Sequence, residues 1–246
     1  MLVIKKLVIA HRGASFYRPE NTLAAFELAY QQGADGIETD IQLSKDSIPM
    51  IIHDANINRV THATGNVNQW SSEKLKTFDI GSWFDLKYQS ERMMTLTDLL
   101  QWAKGKNLLL NLELKTKKNL NPNIEQIVYQ EVIQHGLLDQ VIFSSFNSAT
   151  LKKLKQLNSE TRVALLTKRH SLSLQQMCEE FHFDGIHLKY NYVNRTVTEK
   201  YHRIGKYLGV YTVNISSQMR KCFQANCDMI ITDRPDLAIE KRHLFF

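Results

Sequence analysis

The chain of 246 residues has the usual length of one (β/α)₈ barrel and lies near the upper limit of what a single hydrophobic core serves. Hydrophobic residues make up 43% and charged residues 23%, and no run approaches the roughly 20 apolar residues of a membrane span, so we expect no stable membrane insertion. The net charge of +6 is spread along the chain without a basic block, which argues against nucleic-acid binding and favours anionic small molecules.

Eight short apolar or β-branched runs alternate with helical patterns along the chain. We predict strands at 7–11, 36–43, 108–114, 141–146, 162–167, 185–189, 208–213 and 229–233. We predict helices at 21–32, 96–104, 123–135, 147–157, 172–182, 195–204, 216–224 and 235–242. Eight such pairs are the count that a closed parallel barrel requires, so the pattern predicts one α/β domain over residues 1–246 with the (β/α)₈ TIM-barrel fold.

One strand-like run, PMIIHD at 49–54, is left over after these pairs. The polar residues 44–47 that precede it are too few for a parallel crossover, so we predict an antiparallel β-hairpin with the second strand. Such a hairpin returns His53 to the barrel mouth. Residues 55–95 show no periodic strand or long helix, and we interpret the whole segment of about 44–95 as an insertion over the mouth.

Several helix starts carry a residue that commonly caps a helix. Asn21 is predicted to cap the first helix, Thr95 or Thr97 the second, and Asn147 the fourth. These positions support the alternation of strands and helices.

Acidic residues lie within two of the predicted strands in an alternating pattern. Glu38 and Asp40 lie two residues apart, as do Glu113 and Lys115, and residues two apart on a strand share one face. Three carboxylates without a neighbouring cysteine favour Mg²⁺ or Ca²⁺ over zinc. We therefore predict a divalent cation held by Glu38, Asp40 and Glu113.

Two histidines and two cations complete the predicted site. His11 ends the first strand and His53 ends the hairpin, and imidazoles that titrate near neutral pH can serve as general acid and general base. Arg12 and Lys115 provide positive charge for a phosphate group. The residues together predict metal-assisted cleavage of a phosphodiester. The other histidines are expected to be structural, with His187 a partial exception because it lies within a strand.

The three cysteines, Cys178, Cys222 and Cys227, are widely spaced and form no Cys-x-x-Cys pair. A disulfide framework and a zinc site are therefore not expected, and a reducing cytoplasm fits best. The opening residues MLVIKKLVIAHRG predict a strand rather than an export signal, which agrees with a cytoplasmic protein.

Several segments, taken in order, resemble the glycerophosphodiester phosphodiesterases. The matching pieces are AHRGASFYRPENTLAAFELAYQQGADGIETDIQLSKDSIPMIIHD at 10–54, LNLELK at 110–115, FSSF at 143–146, VYTVN at 210–214 and IITDRPD at 230–236. The first piece is highly specific, whereas FSSF alone means little. The resemblance covers essentially the whole chain.

The resemblance implies a metal-dependent barrel enzyme that hydrolyses glycerophosphodiesters to sn-glycerol 3-phosphate and an alcohol. It matches His11 and His53 to the acid–base pair, and Arg12 and Lys115 to phosphate-binding positions. It also matches Glu20 to a residue that orients the site. Asp54 either orients the ring of His53 or approaches the metal. The ligand positions implied by the family are those already named: Glu38, Asp40 and Glu113.

One departure concerns substrate binding, because many members have Trp where this chain has Tyr211, in a segment that lines the glycerol side of the pocket. Tyrosine keeps an apolar ring and adds a hydroxyl donor, so a changed preference is as plausible as lost activity. Two alternatives stay open: a lysophospholipase D-type activity with an acyl chain sheltered near Trp70 and Trp83, and a catalytically silent ligand-binding barrel. The alcohol released, the choice between Mg²⁺ and Ca²⁺ and the oligomeric state are not determined by the sequence.

Overall fold

The structure is a computed structural model that describes residues 6–116 and 120–245. Over these residues the strands are β1 (Leu7–His11), β2 (Gly36–Leu43), β3 (Pro49–Ile51), β4 (Leu109–Leu114), β5 (Val141–Ser145), β6 (Val163–Thr167), β7 (Gly185–Lys189), β8 (Tyr207–Tyr211) and β9 (Met229–Thr232). The α-helices are α1 (Leu23–Gln31), α2 (Ser72–Leu75), α3 (Leu96–Ala103), α4 (Ile124–Gln134), α5 (Ser148–Leu157), α6 (Leu172–Glu180), α7 (Arg195–Arg203), α8 (Ser216–Gln224) and α9 (Pro235–His243).

Eight parallel strands close into a barrel, which confirms the predicted (β/α)₈ fold. The order around the barrel is β1, β2, β4, β5, β6, β7, β8 and β9, and β1 pairs with both β2 and β9. The register places His11 opposite Glu38 and Asp40 opposite Glu113. Closure therefore brings the chemically active ends of three strands to one sector of the mouth.

Alternation along the strands separates two buried layers. One face of the strands fills the barrel interior with a cluster of small and medium apolar side chains: Ile9, Leu109, Ile142, Ala164, Met229 and Ile231. The other face packs against the surrounding helices, where Phe26 and Phe143 are fully buried. Since successive residues of a strand point to opposite faces, both layers arise from the same runs that predicted the strands.

The leftover strand pairs antiparallel with β2, as predicted, but it is shorter than expected. The ladder covers Pro49 to Ile51, the N–H of Ile52 still donates to the carbonyl of Asp40 at 3.0 Å, and residues 53–54 lie outside the strand. The side-chain amide of Gln42 donates to the backbone carbonyl of His53 at 2.8 Å. The chain therefore turns over the mouth where the prediction continued the strand.

The insertion after β3 holds only short helical turns and α2, in agreement with the absence of a periodic pattern. It has a hydrophobic cluster of its own: Met50, Ile52, Ile57, Val60, Val67, Leu75, Ile80 and Met93. Trp70 packs edge-on against Phe78 beside this cluster, with ring centroids 5.4 Å apart. The insertion is thus a packed wall on one side of the mouth.

The predicted caps at Thr95 and Asn147 are confirmed, whereas the cap at Asn21 is wrong. Thr22 caps α1, and its side chain accepts from the backbone N–H of Ala25. Asn21 has a left-handed φ of 57°, and its side chain turns toward β2 instead. None of the helices in the described ranges is both long and apolar enough to cross a lipid bilayer.

Candidate active site

The turn that follows β1 is built by the His-Arg-Gly run. Arg12 and Gly13 both have positive φ, of 58° and 81°. A Cβ at Gly13 would lie 2.6 Å from the carbonyl carbon of Ala25, so a larger residue does not fit. The backbone N–H of Arg12 donates to the backbone carbonyl of Glu38 at 2.8 Å. The turn therefore fixes His11 and Arg12 beside the end of β2.

His11 is held by a carboxylate that the sequence analysis did not assign. Its Nδ1 lies 2.6 Å from Asp233 Oδ1, just after β9, and its Nε2 lies 3.9 Å from Glu38 Oε2. Burial lowers the pKa of His11, but the hydrogen bond to Asp233 and the charge of Glu38 outweigh burial and raise it. The Asp233 carboxylate also accepts from Ser15 and Asn214. This network fixes the orientation of the His11 ring.

The three predicted metal ligands lie together, as the strand pattern indicated. Carboxylate oxygens of Glu38, Asp40 and Glu113 are all within 4.8 Å of one another, and all three residues are buried. Lys115 Nζ lies 2.8 Å from Asp40 Oδ1 and 2.6 Å from Glu113 Oε1. A cationic group therefore already bridges two of the three carboxylates.

The charge of this cluster is poorly balanced. Burial and the charge of Asp40 raise the pKa of Glu38 to about 8. Burial also raises the pKa of Glu113 despite its contact with Lys115. Burial alone would raise the pKa of Asp40 as well, but the cations of Lys115 and Arg12 hold it far below its usual value. With all three carboxylates ionised, the cluster would carry more negative charge than the cations beside it in the described residues, Arg12 and Lys115, neutralise.

Its chemistry fits a divalent cation. Three hard oxygen donors at this spacing are typical ligands of Mg²⁺ or Ca²⁺. With all three carboxylates ionised beside Arg12 and Lys115, the described part of the site would have a net negative charge and repel an anionic diester, whereas an added dication would make it attractive. Glu38, Asp40 and Glu113 are the residues that can hold such an ion.

A chain of ion pairs links the turn after β1 to the insertion. Glu20 accepts from Arg12 at 2.9 Å and from two nitrogens of Arg59 at 2.7 and 2.9 Å. Arg59 also contacts Asp54 at 2.5 Å. Glu20 thus lies between the Arg12 of the first turn and the Arg59 of the insertion, a position suited to orienting both.

His53 lies in a different environment from His11. Its Nδ1 lies 2.8 Å from Asp54 Oδ1, so Asp54 contacts the ring. Burial lowers the pKa of His53, and the nearby Lys115 and Arg12 add to this effect, while Asp40 opposes it. The two histidines are therefore biased in opposite directions, His11 toward the protonated form and His53 toward the neutral form.

Six of these side chains line one cavity of about 160 Å³. His11, Arg12, Glu38, His53, Glu113 and Lys115 line its polar side. Phe146, Leu166, Tyr211 and Ile231 line an apolar side. The site thus combines a charged half with a half suited to carbon atoms of a ligand.

Tyr211 offers the cavity its ring rather than its hydroxyl. The hydroxyl donates to the backbone carbonyl of Thr167 at 2.9 Å, and the ring meets Phe146 edge-on with centroids 6.1 Å apart. The hydroxyl donor that Tyr211 has and Trp lacks is therefore already bonded to a backbone carbonyl. Trp70 and Trp83 do not line the cavity; the Trp83 indole donates to the carbonyl of Ile80.

Asp233 is the contact that reasoning from the sequence missed. It lies directly after an apolar strand, whereas His11 is the last residue of one, and it belongs to the run IITDRPD. The strand-end position is a usable signal, because functional groups in such barrels gather at the carboxyl ends of the strands. Its partner 222 residues away is visible only in the folded chain.

Comparison with known proteins agrees with this geometry. The profile of the "glycerophosphoryl diester phosphodiesterase family" matches residues 11–237. A glycerophosphodiester phosphodiesterase of Caldanaerobacter subterraneus subsp. tengcongensis is 34% identical over 96% of this chain and 97% of its own length. One of Bacillus altitudinis is 31% identical, with 96% and 97% covered.

Solved structures give the same result. A phosphodiesterase of Oleispira antarctica, in complex with the product sn-glycerol-3-phosphate, is 30% identical with a TM-score of 0.92 and 97% of each chain covered. A glycerophosphodiester phosphodiesterase of Agrobacterium tumefaciens is 27% identical with a TM-score of 0.82, with 96% of this chain and 99% of that chain covered. The match over nearly the whole chain and the arrangement at the barrel mouth agree, and the protein belongs to the glycerophosphoryl diester phosphodiesterase family.

Proposed function

We propose that this protein hydrolyses glycerophosphodiesters to sn-glycerol 3-phosphate and an alcohol, with Mg²⁺ or Ca²⁺ as cofactor. The observation that carries the proposal is one cavity lined by two histidines, two carboxylates and two cations on one side and by an apolar wall on the other, with the third carboxylate, Asp40, buried beside the other two. The product named for the Oleispira antarctica structure supports the glycerol part of the substrate. The three buried free thiols fit a reducing cytoplasm.

The ion-binding group of the proposed site is formed by Glu38, Asp40 and Glu113. When bound there, a dication neutralises charge on the phosphoryl oxygens and lowers the pKa of a hydroxyl or water. Arg12 and Lys115 lie beside this cluster and supply further positive charge to the phosphate. Glu20 holds Arg12 in place through its ion pair.

Proton transfer falls to His11 and His53. One imidazole takes a proton from the nucleophile as the new P–O bond forms, and the other gives a proton to the oxygen of the departing alcohol as the old P–O bond breaks. The nucleophile is either the substrate's own glycerol hydroxyl, which gives a cyclic phosphate that is then opened, or a water. Both routes use the same pair. Asp233 and Asp54 act as positioning residues, because each contacts the Nδ1 of one ring and leaves Nε2 for the reaction.

The insertion does not favour an acylated substrate. Trp70 packs with Phe78 and Trp83 lies outside the cavity, so neither ring is placed to cover an acyl chain there. The cavity volume of about 160 Å³ suits a small polar ligand.

The direct test is release of glycerol 3-phosphate from glycerophosphocholine and glycerophosphoethanolamine, with lysophosphatidylcholine as the comparison. We expect metal-dependent release from the first two and little turnover of the third. Preferential turnover of lysophosphatidylcholine would favour the lysophospholipase activity. Thermal stabilisation by Mg²⁺ or Ca²⁺ without any turnover would favour a silent binding barrel.

The role of Asp233 can be tested by Asp233→Asn. Because the Asp233 carboxylate raises the pKa of His11, its removal should lower that pKa. The limb of the kcat/KM–pH profile that His11 controls should then move to lower pH, whether His11 acts as acid or base. Loss of ring orientation should also reduce kcat/KM by at least about tenfold. The measurement is the pH profile of both proteins.

A second Asp–His pair provides the matched control. Asp228 lies 2.7 Å from His202 Nε2, outside the cavity. Asp228→Asn should leave the position of both limbs unchanged. An unshifted profile in Asp233→Asn would show that Asp233 does not tune His11.

A further inference from the structure

Asn111 is a buried polar residue that the proposed mechanism does not use. It lies in the middle of β4 and is 0% exposed. Within the described chain, neither Nδ2 nor Oδ1 of its side chain has a hydrogen-bond partner. Buried amides without partners destabilise a fold, so such a residue calls for an explanation in function.

The position of Asn111 connects it to the site. It precedes Glu113 by two residues, so the two share the inner face of β4, and it is opposite Glu38 in the register with β2. It also lines the same cavity as His11 and His53. Asn111 therefore borders the cavity at a buried position below the carboxylate cluster, on the side from which an occupant would approach its amide.

The chemistry of the Asn111 amide limits which chemical groups can pair with it. A carboxylate can only accept from Nδ2, and a metal ion can only bind Oδ1. A hydroxyl group both donates and accepts, so it is able to satisfy either amide atom. The proposed substrate brings such groups into this cavity on its glycerol moiety, and the apolar wall of Phe146 and Tyr211 suits its carbon atoms.

We infer that Asn111 is a specificity-determining residue that hydrogen-bonds a hydroxyl group of the substrate's glycerol moiety. This inference rests on the proposed function. In the free protein no group of the described chain pairs with the amide, and in the complex the hydroxyl does. A diester without that hydroxyl leaves the amide unpaired, so Asn111 selects against it.

The test compares the wild-type protein with Asn111→Leu, which keeps a similar volume and removes both amide atoms. The two substrates are glycerophosphocholine and bis(p-nitrophenyl) phosphate, a diester without a glycerol hydroxyl. We expect the kcat/KM for glycerophosphocholine, divided by the kcat/KM for bis(p-nitrophenyl) phosphate, to fall by about 10- to 100-fold in the variant. The ligand-free Tm should rise by at least about 2 °C, because two unpaired buried groups are lost.

Ligand binding gives a readout independent of turnover. Glycerol 3-phosphate should raise the Tm of the wild-type protein more than inorganic phosphate does, and this difference should disappear in Asn111→Leu. Thr161→Val is the matched control, because Thr161 is fully buried and its Oγ1 also lacks a partner in the described chain. It precedes β6 at the end opposite the mouth, so its replacement should leave the substrate ratio unchanged.

If Asn111→Leu lowered kcat/KM equally for both diesters, the inference would be overturned. Asn111 would then hydrogen-bond a water or a group that all substrates share. The inference would also be overturned if Asn111→Leu left the substrate ratio and both rates unchanged, or if it lowered the ligand-free Tm. If the leucine variant does not fold, Asn111→Ala carries the substrate comparison. If the wild-type protein does not turn over glycerophosphocholine, the proposed function fails, and the thermal shift with glycerol 3-phosphate decides the role of Asn111.

Discussion

Replacement of either His11 or His53 by asparagine is expected to lower kcat for glycerophosphocholine by about 10²–10⁴-fold, the usual contribution of a general acid or base. The reason is that each imidazole lines the cavity with Nδ1 in contact with a carboxylate, which leaves Nε2 for proton transfer. The measurement is steady-state turnover at saturating substrate and metal. Near-normal kcat in both variants would contradict the assignment of the pair.

The leaving group separates the two roles within the pair. p-Nitrophenolate departs without protonation more readily than an alkoxide, so the loss of the general acid should cost less with bis(p-nitrophenyl) phosphate. The variant whose defect shrinks on that substrate lacks the acid, and the other lacks the base. His62→Ala is the control, because His62 is an exposed histidine of the insertion, and its kcat should stay close to normal.

Removal of the divalent cation should have an effect of similar size. We expect EDTA to lower turnover by at least about 100-fold, since a bound dication contributes several kcal/mol to stabilisation of the transition-state charge. Addition of Mg²⁺ or Ca²⁺ should restore activity, and the more effective ion identifies the cofactor. Glu113→Gln should weaken metal binding, whereas Glu125→Gln, a buried glutamate outside the cluster, should not. Full activity in EDTA would contradict the proposal.

The effect of the metal on stability should depend on pH. The pKa of Glu38 is raised to about 8 in the folded, metal-free protein, above its ordinary value of 4.5. Because the pKa of Glu38 is raised in the folded state, its contribution to the stability of the metal-free protein is present below pH 4.5 and is lost as the pH rises toward 8. A dication binds the ionised carboxylates, so the increase in the protein's Tm on adding the metal should be larger at pH 8 than at pH 5. Equal increases at both pH values would show that the ion binds elsewhere.

Much of the architecture can be derived from the sequence because it depends on local pattern. The alternating apolar runs predict eight strands, and the short polar link at 44–47 requires a hairpin. The strand ends carry Glu38, Asp40 and Glu113 on one face by simple alternation. The strand boundaries were predicted less accurately. For example, β3 ends earlier than predicted, because a strand continues only where a neighbouring strand pairs with it.

Tertiary structure determined the contacts between these residues. Asn21 has the chemistry of a helix cap, but in the fold its amide donates to Asp40, which lies within reach only after β1 and β2 pair. Likewise, closure of the barrel brings Asp233 to His11, and the Tyr211 hydroxyl finds the carbonyl of Thr167. Short-range periodicity cannot specify which distant polar groups meet.

The sequence by itself thus determined the strand count, the hairpin and the residue types gathered at the barrel mouth, because strand direction and alternation are encoded within a few neighbouring residues. Only the tertiary structure decided the opposite pKa shifts of His11 and His53 and the unpaired state of Asn111. Burial and the distances between charges set those properties, and both exist only once the barrel has closed.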